Sequence, residues 1–183
     1  MLETSMLIPS ASNNHKIHSW LSDRFGCHRG EGADYLFVAE TMADKTLLTV
    51  VHNTPIPRIG GGVQVSIPDI GSVVDFRVRV NATRKVAEKR VPLSDVDMQE
   101  WLSRHVEGAS IESCEVVGMG WDNFGKRGKD YSFEWKDVVG KLRVESVAEF
   151  ERTLCRGIGR MRSVGYGLIA IPGMKAFRIL NQH

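Results

Sequence analysis

An α+β chain made of two consecutive strand-helix-strand-strand units is what this sequence predicts, on three observations. Helical periodicity is confined to separate stretches: Ile17, Trp20, Leu21 and Phe25; Trp101, Leu102, His105 and Val106; Val147, Phe150 and Leu154. The segments between them alternate in polarity or run apolar for a few residues, bounded by Gly, Pro, Asn and Asp. The order in which these segments follow one another is nearly the same in the two halves.

In the first half, Met6–Pro9 is a short apolar run, and Ser10-Ala11-Ser12-Asn13-Asn14 supplies several N-cap side chains for a helix over 14–25. Gly26, Gly30 and Gly32 end it. Tyr35–Glu40 and Leu47–His52 read as strands joined by a polar turn around Asp44. Pro55, Pro57 and Gly60-Gly61-Gly62 leave too little chain for a full second helix before the period-two run Val63–Ile67.

Gly71 reads as a linker. In the strand Val74–Asn81, Phe76, Val78 and Val80 share one face and Arg77 and Arg79 the other, so one face is core and the other basic. Ser94 with Asp97 forms a variant capping box that opens a helix through Val106. Ile111–Val117 is a strand, Gly118–Asp130 a Gly- and Lys-rich stretch of solvent-exposed character, and Tyr131–Val144 a longer strand region. Ser146 and Glu149 form a capping box for a helix over 147–156, which leads through a glycine loop to the apolar run Leu168–Ile171. The second half therefore has the β-α-β-β-α-β order of the ferredoxin-like (RRM-like) fold, and the first half the same order with a reduced second helix. The predicted fold is two tandem ferredoxin-like domains, 1–70 and 71–183.

A chain of 183 residues with 42% hydrophobic residues suits one ordinary domain or two small ones. No apolar run approaches the ~18 residues of a membrane helix, and the N-terminus lacks a charged leader followed by an apolar stretch, which predicts a cytoplasmic protein without a membrane partner. Cys27, Cys114 and Cys155 form no CxxC pair and read as reduced structural thiols. Net charge is only +2, but its distribution is uneven: residues 76–93 and 152–183 hold 12 of the 24 bases and 1 of the 22 acids. That segregation fits a polyanion binder, or else a solvated basic face.

The glycine loop, Gly157-Ile158-Gly159-Arg160-Met161-Arg162-Ser163-Val164-Gly165-Tyr166-Gly167, lies between a helix and a strand. A dinucleotide-binding glycine motif needs the reverse order, and a Walker loop needs a Gly-Lys-Ser/Thr ending, so both mononucleotide readings fail. What remains is a loop along a longer polyanion, or an ordinary helix-to-strand connection. Arg156, Gly157, Gly159, Arg160, Arg162, Ser163, Gly165 and Gly167, with Arg77, Arg79, Arg84 and Lys85, are the candidate contacts.

Phe76-Arg77-Val78-Arg79-Val80-Asn81, Arg90-Val91-Pro92-Leu93, the helix bearing Trp101-Leu102 and the loop from Gly157-Ile158-Gly159 to Gly165-Tyr166-Gly167-Leu168 stand in the order of four family motifs. In them the chain resembles the CasE family of CRISPR-associated endoribonucleases, RAMP-superfamily proteins that cut CRISPR repeat RNA in type I-E Cascade. Ala82 replaces the family's usual proline. The resemblance implies cleavage of a repeat hairpin, retention of the crRNA product and association with other Cascade subunits. It also implies a catalytic histidine on the first helix: Ile17-His18-Ser19-Trp20-Leu21 fits the family's hydrophobic-His-x-x-Leu pattern, and His15 stands where many members have tyrosine.

Imidazole suits this chemistry. Metal-independent cutting needs the 2′-hydroxyl deprotonated and the 5′-oxygen protonated, leaving a 2′,3′-cyclic phosphate, and a side chain with a free pKa of ~6.5 serves either task near neutrality. His18 is the expected catalytic group; His15, one turn away, either supplies the other proton transfer or is inert; no cofactor is required. A rival reading gathers His15, His18, Cys27 and His28 into a zinc site. Two further alternatives are a catalytically inactive hairpin-binding module, and an RRM-like single-strand binder; the latter is disfavoured because Arg77 and Arg79 stand where stacking aromatics would serve.

Overall fold

The computed structural model of the chain describes residues 1–10, 13–25, 35–53, 62–126 and 129–181. The first unit comprises β1 (Leu2–Pro9), α1 (Asn14–Phe25), β2 (Tyr35–Thr41), β3 (Lys45–His52) and β4 (Val63–Gln64). Its sheet is antiparallel in the order β2-β3-β1-β4. The second unit comprises β5 (Val73–Val80), a hairpin of β6 (Thr83–Val86) and β7 (Lys89–Pro92), α2 (Met98–His105), β8 (Ala109–Lys126), β9 (Lys129–Val144), α3 (Val147–Arg156) and β10 (Ile169–Ala170), followed by α4 (Lys175–Leu180). Its antiparallel order, β10-β5-β9-β8, is the same permutation. Each sheet thus has the ferredoxin-like arrangement, with a hairpin inserted in the second unit. Residues 54–61, where the first unit's second helix would lie, and Gly26, Gly30 and Gly32 are outside the described residues.

Why β2 is apolar at four successive positions follows from its two-sided burial. Tyr35 and Phe37 pack with Leu48 and Val50 under Ile17 and Leu21 of α1. Leu36 and Val38, on the other face, join Val78, Phe150, Leu154 and Ile169 of the second unit in one continuous core. The seam is therefore filled by side chains along this face, rather than forming an open cleft between two independent bodies. Polar bonds reinforce it: the buried carboxylate of Glu3 accepts from the Lys175 and Ala176 main-chain nitrogens at 2.7 and 2.9 Å, capping α4 from β1. Asn13 caps α1, its Oδ1 accepting from Lys16 N at 3.0 Å.

Several local expectations are corrected. Where Gly118–Asp130 is expected to be a solvent-like stretch, its described residues are strand: β8 runs through Lys126 and pairs with β9 as a long ribbon, with register shifts at Ile111/Ser113 and Val116/Gly118. Gly120 is what the ribbon requires at its centre, because a Cβ there would fall 2.5 Å from the Trp135 ring. The strand expected over Val63–Ile67 pairs only at Val63 and Gln64, since its partner β1 ends beside it at Leu2 and Met1. Neither capping box forms. Ser94 Oγ donates to the Asp97 carboxylate instead, so the helix begins as a 3-10 turn (Asp95–Asp97), and Ser146 makes no side-chain cap.

Candidate active site

Helix α1 places His15 and His18 one turn apart on its exposed side, both half-buried, with ring centroids 6.4 Å apart. His18 is fixed from beneath by Tyr35, the first residue of β2. Tyr35 Oη lies 2.8 Å from His18 Nδ1, donates to the His18 carbonyl oxygen at 3.2 Å, and lies 2.9 Å from Ser22 Oγ one turn further along. The tyrosine ring is 1% exposed. A phenol both donates and accepts, so this partner can match either tautomer of the imidazole. The sequence reading missed Tyr35. Its one signal was a tyrosine opening an otherwise apolar strand, where a buried hydroxyl must find a polar partner.

The glycine loop closes on itself and on both units. Ile158 N donates to Gly167 O at 2.9 Å, and Gly167 N to Arg79 O at 2.7 Å, while Arg160 bridges to Asn81. Its middle forms a 3-10 turn (Arg162–Val164) against α1. Gly165 (φ +90°) sits where a Cβ would come within 2.9 Å of the Phe37 ring and 3.2 Å of Asn14 Nδ2. A Cβ at Gly167 (φ +80°) would overlap the Ile158 carbonyl oxygen at 2.1 Å. These two glycines thus permit closure of the loop and its docking onto the histidine-bearing unit. Gly157 and Gly159 likewise have positive φ. Tyr166 is buried and donates to the Asp122 carboxylate, and its ring meets Phe133 edge-on at 5.1 Å, tying the loop to the ribbon.

The candidate arginines divide into two groups. Arg156, Arg160 and Arg162 are exposed; Arg162 Nη1 donates to the Arg156 carbonyl at 2.9 Å, drawing that side chain back over the end of α3. Ser163 is half-buried. Arg84 and Lys85, on the β6–β7 hairpin, are also exposed, with surface ion pairs to Asp97 at 3.1 Å and Glu88 at 3.5 Å. Such pairs leave both cations available to a competing phosphate. Arg77 and Arg79 are different, and the expected basic sheet face is corrected. Arg77 is 8% exposed, contacts Asn181 Oδ1 at 3.3 Å and lies 3.9 Å from Asp137. Arg79 binds Asp137 through two bonds of 2.7 Å and lies over the Trp135 ring at 4.3 Å. The Asp137 bond raises the Arg79 pKa further, against burial. Asp137, with Asn181 just past α4 for Arg77 and the Trp135 ring for Arg79, thus holds both guanidiniums in place.

Cys27 and His28 of the zinc reading lie outside the described residues, and among the described residues no three His, Cys, Asp or Glu side chains are grouped to hold a metal ion. Burial pushes the Cys114 and Cys155 thiols up. No described helix is long and apolar enough to cross a membrane.

A family described as CRISPR associated protein matches residues 7–172. The fold is similar to that of the CRISPR endoribonuclease Cse3 bound to 19-nt RNA, at 20% identity and a TM-score of 0.76 over 93% of this chain and 99% of that one. It is similar to the CRISPR-associated protein Cas6e of Escherichia coli K-12, at 21% identity and 0.69 over 93% and 98%. A chain of a CRISPR RNA-guided surveillance complex matches at 19% identity and 0.72, over 93% and 98%. No curated protein matches the sequence.

Proposed function

The chain belongs to the CRISPR-associated protein family, and we propose that within it the protein is an endoribonuclease that cuts CRISPR repeat hairpins by metal-independent acid–base chemistry, keeps the crRNA product and serves as a Cascade subunit. The observation that carries the proposal is the His18–Tyr35–Ser22 cluster on α1, the helix whose first residue, Asn14, meets the glycine loop at Gly165. It presents an oriented imidazole beside an arginine-bearing loop on a fold otherwise seen in RNA-bound Cse3 and in the surveillance complex.

In the proposed reaction a base removes the 2′-hydroxyl proton, the 2′-oxygen attacks the adjacent phosphorus, and the bond to the 5′-oxygen breaks as that oxygen takes a proton from an acid. His18 performs one transfer and His15, a turn away, is the candidate for the other. Tyr35 holds the His18 ring by Nδ1, which directs the proton chemistry to Nε2. Arg160 and Arg162 supply positive charge for the backbone, with Arg84 and Lys85 as a second contact on the β6–β7 hairpin. We divide the chain into domains 1–70 and 71–183, the first bearing the histidines and the second most of the RNA surface.

The test is incubation of the purified protein with the repeat RNA of its own locus in EDTA. Cutting that persists and leaves cyclic-phosphate and 5′-hydroxyl ends supports the mechanism. Activity lost with chelator and restored by a divalent ion contradicts it.

A further inference from the structure

Strand β5 ends at Val80, opposite Lys136, but β9 continues from Trp135 back to Lys129, where its strand partner among the described residues is β8 and Asn81 Nδ2 donates to the Glu134 carbonyl oxygen at 2.7 Å. This overhang faces the β6–β7 hairpin on one side and Arg160–Met161 of the glycine loop on the other, enclosing a cleft of about 560 Å³. That is within the range of small-ligand sites. Trp121, Tyr131, Phe133 and Glu134 of the ribbon line it, with Arg90 of the hairpin and Arg160 of the loop at its rim. Trp121 is 61% and Tyr131 45% exposed, large aromatic surfaces turned to solvent beside cations. The Glu134 carboxylate is offset by Lys136 Nζ at 3.4 Å, so the two arginines set the charge of the rim.

We propose that this cleft binds one unpaired nucleotide of the RNA, its base stacked on Trp121 or Tyr131 and its phosphates met by Arg90 and Arg160. Aromatic rings beside arginines are what an unstacked base requires: the ring takes the π-face and the guanidinium the backbone. A protein segment would gain from the apolar rings but not from two cations at the rim, which favours the nucleotide. The inference deepens the RNA-cleavage reading and rests on it for the identity of the RNA, not for the stacking.

The experiment uses repeat hairpins carrying 2-aminopurine at a single unpaired position in the 5′ flank, the 3′ flank or the loop, together with the fully paired stem. Wild-type protein, Trp121→Ala and Tyr131→Ala are compared, with melting curves as a control of folding. One unpaired position should be quenched on binding, and making it abasic should weaken wild-type binding by roughly ten-fold. Trp121→Ala or Tyr131→Ala should abolish both effects and leave affinity for the paired stem unchanged. Variants that bind and quench like wild type overturn the proposal, as does an equal loss on stem and hairpin. Unchanged RNA binding with loss of partner-protein assembly also overturns it, assigning the cleft to a protein. If wild-type protein ignores hairpins but quenches short single strands through Trp121, the cleft stands and the hairpin-cutting reading falls; quenching of neither overturns the cleft.

Discussion

The Tyr35 hydroxyl lies 2.8 Å from Nδ1 of His18, joining the first residue of β2 to the middle of α1. Tyr35→Phe preserves the buried ring and removes only the polar partner of the imidazole. Single-turnover cleavage should fall about ten-fold, the worth of one buried hydrogen bond, while hairpin affinity stays at the wild-type value. The pH–rate profile should shift as well, a change that mere loss of packing would not produce.

Asp137 sits between Arg77 and Arg79, with side-chain exposures of 5%, 9% and 29%. Asp137→Ala leaves the buried Arg77 charge without its counterion and should lower stability by about 3–5 kcal/mol, measured by urea denaturation. Arg79→Ala should likewise reduce stability without changing the salt dependence of RNA binding. An unchanged denaturation midpoint with a reduced salt slope would restore the arginine to the RNA surface.

Burial and the adjoining Asp122 carboxylate push the Tyr166 phenol far above its ordinary value near 10. Folding thus favours the protonated form, and that contribution is fully present below pH ~10 and is lost as pH rises above it. Denaturation of wild type and Tyr166→Phe at stepped alkaline pH should show a steeper loss in the wild type. Parallel curves would mean that the phenol ionises freely in the fold.

Much of the fold was legible because its signals are local. The boundaries of α1 and α3 follow from periodicity and from Asn13, and the strand order from segment lengths; the shared turn of His15 and His18 is plain in the helical repeat. What was illegible depends on partners far away in sequence. Alternation separates the Arg77/Arg79 face from the core face, but that a ribbon aspartate and the residue just past α4 engage its guanidiniums needs residues 137 and 181. Gly118–Asp130 looked like a loop because its glycines suppress strand propensity, although one of them exists to seat Trp135. The stacking aromatics sought along Arg77 and Arg79 stand on that ribbon instead.

Arg162 is exposed on the glycine loop, held by one bond to the Arg156 carbonyl. Arg162→Ala should weaken hairpins of different sequence about equally and reduce the slope of log K against log salt by roughly 0.7–0.9, one phosphate contact. Unchanged affinity and slope would make the loop a structural connection alone.

The most direct measurement compares single-turnover cleavage and equilibrium binding of the repeat hairpin by wild type and His18→Ala. The account predicts a loss of cleavage on the order of 10²–10⁴-fold with affinity nearly unchanged, because a proton-transfer group is removed and little RNA-binding surface with it. Wild-type cutting by His18→Ala, or loss of cutting only in proportion to lost binding, would contradict it.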